Sequence, residues 1–143
     1  MTQLNLSDDV KKAYEVALKA RTHAHAPYSK FLVGACLKAI DGDGKEEFIP
    51  GCNVENVSYG ATICAERTAF TSMVANLKDA RPQYIVVVTD TEPATMPCAL
   101  CLQVMAEFCD KDFKVYMGNL IDIDRETTFG ELLPLPFQEF EVR

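Results

Sequence analysis

The sequence predicts an α/β fold in which a mixed sheet lies between helices. Two observations support this prediction: segments with helical periodicity alternate with short apolar segments, and the first two apolar segments flank a tight turn. The order of elements is α-β-β-α-β-α-β. Its two strand-helix-strand units predict parallel pairing at the centre of the sheet, and the hairpin predicts an antiparallel pair. The 143 residues match the size of one domain, predicted over residues 1–143.

The N-terminal half begins with a predicted helix. Apolar residues fall at helical spacing over residues 7–25, and Pro27 stops the helix. A hairpin follows, because apolar segments over residues 31–39 and 48–53 flank an Asp-Gly-Asp-Gly turn at residues 41–44.

The C-terminal half alternates helices and strands. Helices are predicted over residues 64–76 and 98–109, and strands over residues 84–89 and 113–117. A short helix is predicted over residues 127–133. Ligand sites in such layered folds lie at the carboxyl ends of strands, where helices begin. Both longer helices of this half begin at a cysteine, so a site is expected there.

Composition narrows the class of function. Apolar residues make up 48% and charged residues 24% of the chain, as in a globular protein. The net charge of −7 and the lack of a Lys/Arg cluster make nucleic acid an unlikely partner and favour a small substrate. The apolar run at residues 84–88 is far shorter than the ~20 residues that cross a bilayer, so no membrane role is expected. The polar N-terminus predicts no secretory signal and hence a cytoplasmic location, with the nucleus left open.

Three cysteines are predicted to bind one metal ion. Cys98 and Cys101 are two residues apart at the start of a helix, which places both sulfurs on one side. Cys64 also begins a predicted helix and is the natural third ligand. The N–H groups at helix N-termini stabilise thiolates. Arg67, one helical turn after Cys64, is predicted to hydrogen-bond the sulfurs and draw charge from them.

Glu66 is predicted to carry protons in catalysis. Three protein ligands leave a fourth position for water, as in catalytic zinc sites. A glutamate two residues after Cys64 can stand beside that position without binding the metal, accept a proton and pass it to a substrate nitrogen. Zinc deaminases as a class combine such ligands with such a glutamate. The pattern therefore indicates a zinc-dependent hydrolytic deaminase.

The remaining cysteines and the histidines are given structural interpretations. Cys36, Cys52 and Cys109 are interpreted as core residues, and a structural site that recruits one of them as a fourth ligand is the main alternative. His23 and His25 stand at the end of the first predicted helix. They are interpreted as helix-ending surface residues.

The chain resembles the small cytidine deaminases of pyrimidine salvage. Separated motifs carry the resemblance in the same order, at residues 26–31, 33–35, 51–56, 58–60, 62–69 and 97–101. The resemblance implies a three-layer α/β/α fold with a mixed sheet of about five strands. It also implies one Zn²⁺ per subunit and deamination of cytidine and 2′-deoxycytidine to uridine and 2′-deoxyuridine, with release of ammonia.

The resemblance further implies roles for individual residues. Asn53 and Glu55 would bind the ribose 3′ hydroxyl, which fits an amide and a carboxylate at alternate positions of an extended segment. Phe31 would cover the pyrimidine ring. Ala65 would bind the base through its backbone, and Glu66 would contact N3 and the departing amine.

The resemblance also implies a homotetramer whose sites are completed by neighbouring subunits. Tyr59 and Phe137 lie in the stretches that would reach an adjacent site. The chain departs from the family at Leu100, where the family often has Ala, and at Leu102, where it often has Arg. The metal ligands are unaffected, and the departures concern the pocket near the leaving amine and the interface.

Three other functions stay open. A deaminase that edits RNA or DNA would use the same chemistry, although the acidic charge and the sugar-binding pair disfavour it as more than a side activity. A deoxycytidylate deaminase would need a phosphate site, and the sequence has no Gly-rich or Arg-rich loop for one. A zinc-stabilised binding module would have four cysteine ligands and no solvent position.

Overall fold

The computed structural model describes residues 4–142. The first predicted helix and the hairpin form, but with shifted ends. In chain order the elements are α1 (Asp8–Arg21), β1 (Val33–Ile40), β2 (Glu46–Cys52), a 3₁₀ turn (Tyr59–Ala61), α2 (Ala65–Asn76), β3 (Arg81–Thr89), α3 (Ala99–Phe108), β4 (Lys114–Gly118), β5 (Ile123–Thr128) and α4 (Phe129–Leu132).

The five strands form one mixed sheet in the order β2-β1-β3-β4-β5. Strand β1 pairs antiparallel with both β2 and β3, β3 pairs parallel with β4, and β4 pairs antiparallel with β5. The predicted α/β fold with a mixed, five-stranded sheet is therefore confirmed. One expectation was wrong: β2 and β3 run parallel but do not pair with each other, because β1, which is buried over residues 34–39, lies between them.

The C-terminal strand was not predicted. Strand β5 contains one buried residue, Ile123, and otherwise consists of polar residues on the edge of the sheet. It therefore lacks the apolar run by which the other strands are recognised. The helix predicted over residues 127–133 is shorter in the structure, where it is α4. Thr128 caps its start: the Thr128 hydroxyl accepts from the N–H of Glu131, and the Glu131 carboxylate accepts from the N–H of Thr128.

Helices cover both faces of the sheet and give it three layers. Helix α1 packs against one face, where alternate residues of the central strands are buried, including Cys36, Val86 and Val88. Helices α2 and α3 pack against the other face, where the intervening residues such as Leu37 and Val87 are buried. The alternation follows from the opposite directions of successive side chains in a strand. Within residues 4–142, no helix is long and apolar enough to span a bilayer.

The fold brings two helix N-termini to one end of the sheet, where strands β2 and β3 finish. Strand β2 ends there at Cys52 and β3 ends there at Thr89, and α2 and α3 begin after these strands. Gly51 allows β2 to approach α2 closely. A Cβ at Gly51 would overlap the carbonyl oxygen of Ala65 and lie 2.8 Å from the nitrogen of Ala69. The first turn of α2 is therefore held directly against the end of β2.

Candidate metal centre and active site

Three cysteine sulfurs converge at this end of the sheet. Cys64 is the N-cap of α2, Cys98 is the N-cap of α3, and Cys101 lies in the first turn of α3. The Sγ atom of Cys98 lies 3.7 Å from that of Cys64 and 3.5 Å from that of Cys101. All three sulfurs lie within 4.8 Å of one another. Over residues 4–142 this is the one group of His, Cys, Asp or Glu side chains that could hold a metal ion.

The spacing of the sulfurs fits Zn²⁺. Ligands placed tetrahedrally at the usual Zn–S distance of about 2.3 Å stand about 3.8 Å apart, and the two short sulfur–sulfur distances are 3.7 and 3.5 Å. The thiolate is the zinc-binding form, and two helix N-termini direct positive partial charge at the site. Donor chemistry and spacing therefore both suit a zinc ion.

The electrostatics of the cluster favour a thiolate at Cys64. A hydrogen bond from Cys101 is the largest cause that lowers the pKa of Cys64, to about 5, and Arg67 adds to it. The Nη2 atom of Arg67 donates to Cys64 Sγ at 3.6 Å and to the carbonyl oxygen of Thr62 at 3.2 Å. The pKa of Cys101 is raised because it provides the proton of the shared bond and is buried.

Glu66 lies in the first turn of α2, beside the sulfurs. Its side chain is buried, and the residue is only 5% exposed. Burial raises the pKa of its carboxyl group to about 7, and the negative charge of Cys64 adds to the rise. A carboxyl group with a pKa near neutrality can both accept and release a proton at physiological pH.

Asn53 forms hydrogen bonds with the segment that leads into β1. Its Nδ2 atom donates to the carbonyl oxygen of Phe31 at 2.8 Å, and its Oδ1 atom accepts from the N–H of Val33 at 2.8 Å. The residue is 8% exposed. These bonds explain why β1 begins at Val33 and not at Phe31, since the carbonyl of Phe31 turns to the Asn53 side chain.

Glu55 is bonded to the same segment, further upstream. Its Oε1 atom accepts from the N–H groups of Tyr28 and Ser29, both at 3.1 Å. These bonds, Ser29 first, lower the pKa of its carboxyl group. The other carboxylate oxygen, Oε2, makes no hydrogen bond or ion pair within residues 4–142.

A short backbone ladder joins this region to the sulfurs. Val54 lies between His25, in a parallel bridge, and Ile63, in an antiparallel bridge. Val54 and Ile63 exchange hydrogen bonds of 2.9 and 3.0 Å, and Cys64 follows Ile63 directly. The ladder therefore places Asn53 and Glu55 on the same side of the molecule as the metal centre. The sequence did not reveal it, because the pairing segments are too short to show strand periodicity.

The other predicted substrate-binding residues are spread more widely. Ala65 is buried at the first position of α2, where helical N–H groups have no partner within the helix. Phe31 is exposed. Tyr59 is 78% exposed and makes an edge contact with the Tyr28 ring. Phe137 is 68% exposed, and its carbonyl oxygen accepts from Gln103 on α3.

The remaining cysteines and histidines lie outside the metal cluster. Cys36 and Cys109 are buried in the two hydrophobic cores, and Cys52 is half-buried in β2. Helix α1 ends at Arg21, before His23 and His25, because Thr22 caps it.

The two departures from the family pattern lie in different surroundings. Leu100 is exposed on α3, whereas Leu102 is buried in the core beneath the sheet.

Comparisons with known proteins agree with this geometry. Residues 7–117 match the family described as the cytidine and deoxycytidylate deaminase zinc-binding region. The chain is 45% identical over 132 residues to a cytidine deaminase of Sporosarcina psychrophila, covering 92% of this chain and 93% of the relative. It is 48% identical over 122 residues to one of Halalkalibacterium halodurans, covering 85% and 88%.

Solved structures show the same fold. The crystal structure of a cytidine deaminase from Burkholderia pseudomallei superposes with a TM-score of 0.76 at 40% identity, covering 92% of this chain and all of that one. A cytidine deaminase from Mycobacterium tuberculosis superposes with a TM-score of 0.74 at 33% identity, covering 93% of this chain and all of that one.

Proposed function

Because the chain belongs to the cytidine and deoxycytidylate deaminase family, we propose that it hydrolyses the C4 amine of cytidine and 2′-deoxycytidine in pyrimidine salvage. The reaction adds water at C4, breaks the C4–N bond and releases ammonia and the corresponding uridine. One observation carries this proposal: three sulfurs at zinc-binding distances stand beside a buried glutamate whose pKa is about 7.

Cys64, Cys98 and Cys101 would hold one zinc ion per subunit. When bound, Zn²⁺ supplies a Lewis acid that lowers the pKa of a coordinated water molecule. Arg67 offsets part of the negative charge of the three sulfurs through its bond to Cys64. The absence of a fourth cysteine from the cluster, within the described part of the chain, leaves room for solvent.

Glu66 moves the protons of the reaction. Its carboxylate takes up one proton from the attacking water and delivers it to N3 of the pyrimidine. It then takes up the proton of the new C4 hydroxyl group and delivers it to the departing amine. The environment suits both halves of this cycle, because a pKa of about 7 lets the carboxyl group take up and return a proton with little penalty.

Four residues would hold the nucleoside. Glu55 has a free carboxylate oxygen and Asn53 has a second amide hydrogen, and both suit a ribose 3′ hydroxyl. Phe31, whose carbonyl oxygen accepts a hydrogen bond from Asn53, would cover the pyrimidine ring. The N–H of Ala65, at the start of α2, would bind the base.

Self-association as a homotetramer completes the proposed assembly. Tyr59 and Phe137 project largely exposed aromatic rings, which suits residues that enter a neighbouring subunit's site. None of the three proposed zinc ligands is in a disulfide bond, so we expect a reducing compartment such as the cytoplasm.

A spectroscopic assay tests the proposal. The zinc-loaded protein should convert cytidine and 2′-deoxycytidine to the uridines, and Glu66→Ala should serve as an inactive blank that retains zinc. Deoxycytidylate and a cytosine-containing RNA oligonucleotide are the competing substrates. A zinc-loaded protein that deaminates only one of these, and no free nucleoside, would overturn the substrate assignment.

A second measurement separates a catalytic site from a zinc-stabilised binding module. X-ray absorption at the zinc edge should show three sulfur ligands and one lighter ligand. Four sulfur ligands would indicate a closed structural site.

A further inference from the structure

The segment before β1 is held by side chains more than by packing. Residues 28–31 are all exposed. Lys30 adopts a φ of +62°, a left-handed conformation that is costly for a residue other than glycine. An exposed segment with such a conformation persists only where other bonds fix it. Two local hydrogen bonds close the segment, from the N–H of Lys30 to the carbonyl oxygen of Ala26 and from the N–H of Phe31 to Ser29 Oγ.

Asn53 and Glu55 tie both ends of the segment to the rest of the fold. Glu55 Oε1 accepts from the N–H groups of Tyr28 and Ser29 at its start. Asn53 bonds to the carbonyl of Phe31 and the N–H of Val33 at its end. A carboxylate that accepts two backbone N–H groups makes charge-assisted bonds, which are stronger than neutral ones.

We infer that Asn53 and Glu55 act on the reaction as positioning residues for Phe31, in addition to contacting the sugar. This inference rests on the proposed function, which assigns Phe31 to the pyrimidine ring. Each side chain holds the segment with one set of atoms and keeps another free, since Glu55 Oε2 and the second amide hydrogen of Asn53 have no protein partner within residues 4–142. The same two residues therefore hold Phe31 in position and contact the sugar.

Substrates with and without the 3′ hydroxyl separate the two roles. The variants are Glu55→Ala, which removes the bonds to Tyr28 and Ser29, and Glu55→Gln, which keeps an acceptor oxygen. On 2′,3′-dideoxycytidine, which lacks the 3′ hydroxyl, Glu55→Ala should lower kcat/KM by about tenfold or more, and Glu55→Gln should recover most of the loss. If Glu55 acts only through the sugar, Glu55→Ala will match the wild type on this substrate and the inference fails.

The chain offers a matched control in another turn. Asp41 Oδ1 also accepts two backbone N–H groups, those of Asp43 and Lys45, at 3.0 and 2.8 Å. Asp41→Ala removes the same kind of bonds in the β1–β2 turn. It should leave kcat/KM unchanged on cytidine and on 2′,3′-dideoxycytidine. That result would show that loosening a turn does not by itself impair the reaction.

Fluorescence anisotropy tests the positioning role without any turnover of substrate. The sequence contains no tryptophan and five tyrosines, so Phe31→Trp places a single tryptophan on the segment, and excitation at wavelengths that tyrosine does not absorb reports on it alone. Adding Glu55→Ala should lower the fluorescence anisotropy of this side chain, whereas adding Glu55→Gln or Asp41→Ala should not. Unchanged anisotropy with Glu55→Ala overturns the inference even in an active enzyme. A clear drop in a protein inert toward nucleosides would instead support the positioning and refute the proposed function.

Discussion

The metal end and the sugar end of the site are built in different ways. The metal end, formed by Cys64, Cys98, Cys101 and Glu66, lies on the first turns of two helices that pack on the sheet. The proposed sugar end, formed by Asn53 and Glu55, lies in extended segments joined to residues 25–33 by side-chain hydrogen bonds and a short backbone ladder. In the proposed site, the catalytic groups therefore lie on helices packed against the sheet, and the sugar-binding residues hold an exposed segment that we expect single substitutions to loosen.

The largest expected effect comes from the metal end. Cys101→Ser removes a sulfur ligand that is 1% exposed, and a serine hydroxyl is a poor ligand for zinc. We expect loss of bound zinc and of deaminase activity, measured by atomic absorption and by the cytidine assay. Cys109→Ser is the matched control, because Cys109 is also buried but lies outside the cluster. A Cys101→Ser protein that keeps both zinc and activity would break the distinction between the two ends.

An intermediate effect is expected where β2 meets α2. Gly51→Ala places a methyl group against the backbone of Ala65 and Ala69, so the first turn of α2 must move. Overpacking of this kind lowers the free energy of unfolding by about 1–3 kcal/mol, and kcat should fall because Glu66 moves with the turn. Chemical denaturation and the cytidine assay measure the two effects.

Gly60→Ala is the control for that substitution, because its Cβ meets nothing within 4 Å and no positive φ is involved. Equal unfolding curves for the two alanine variants would show that α2 tolerates the contact.

A similar loss of stability is expected at the sugar end. Asn53→Asp keeps the acceptor for Val33 but loses the donor to Phe31 and sets a carboxylate beside that carbonyl oxygen. The free energy of unfolding should fall by about 1–3 kcal/mol, the usual cost of an unsatisfied buried group. Asn56→Asp controls for the added charge, because within residues 4–142 the Asn56 side chain uses only its acceptor oxygen, toward the N–H of Ser58. If thermal denaturation shows equal losses for both, the Asn53 bonds do not hold the segment.

The smallest expected effect is on the ionisation of Cys64 in the three-cysteine cluster. Arg67 lowers the pKa of Cys64, so Arg67→Gln should raise that pKa in the zinc-free protein. The alkylation rate of Cys64 with iodoacetamide, followed by mass spectrometry, should then rise at higher pH than in the wild type. Lys11→Gln, on the exposed side of α1, should leave the profile in place. No displacement with Arg67→Gln would remove Arg67 from this role.

The sequence allowed most of the fold and the metal cluster to be predicted. Helices α2 and α3 begin within one residue of their predicted starts, because Cys64 and Cys98 are their N-caps. Strand β5 escaped prediction because its edge position leaves it mostly polar. The pairing of β1 with β3 was missed because strand order depends on contacts that no local pattern encodes.

The bonds of the sugar end could not be predicted. Asn53 and Glu55 reach across 20 to 27 residues of sequence to backbone groups, and a backbone N–H or carbonyl has no residue-specific signature. The roles of individual residues toward substrate stay predictions from the resemblance.

In the proposed mechanism, Glu66 carries protons at a zinc site and does not hold the metal. Glu66→Gln keeps the size of the side chain and removes its ability to accept a proton. We expect this variant to bind as much zinc as the wild type and its kcat for cytidine to fall by about 10²–10⁴-fold, the usual contribution of general acid–base catalysis. A Glu66→Gln protein with full zinc and wild-type turnover of cytidine would contradict this mechanism.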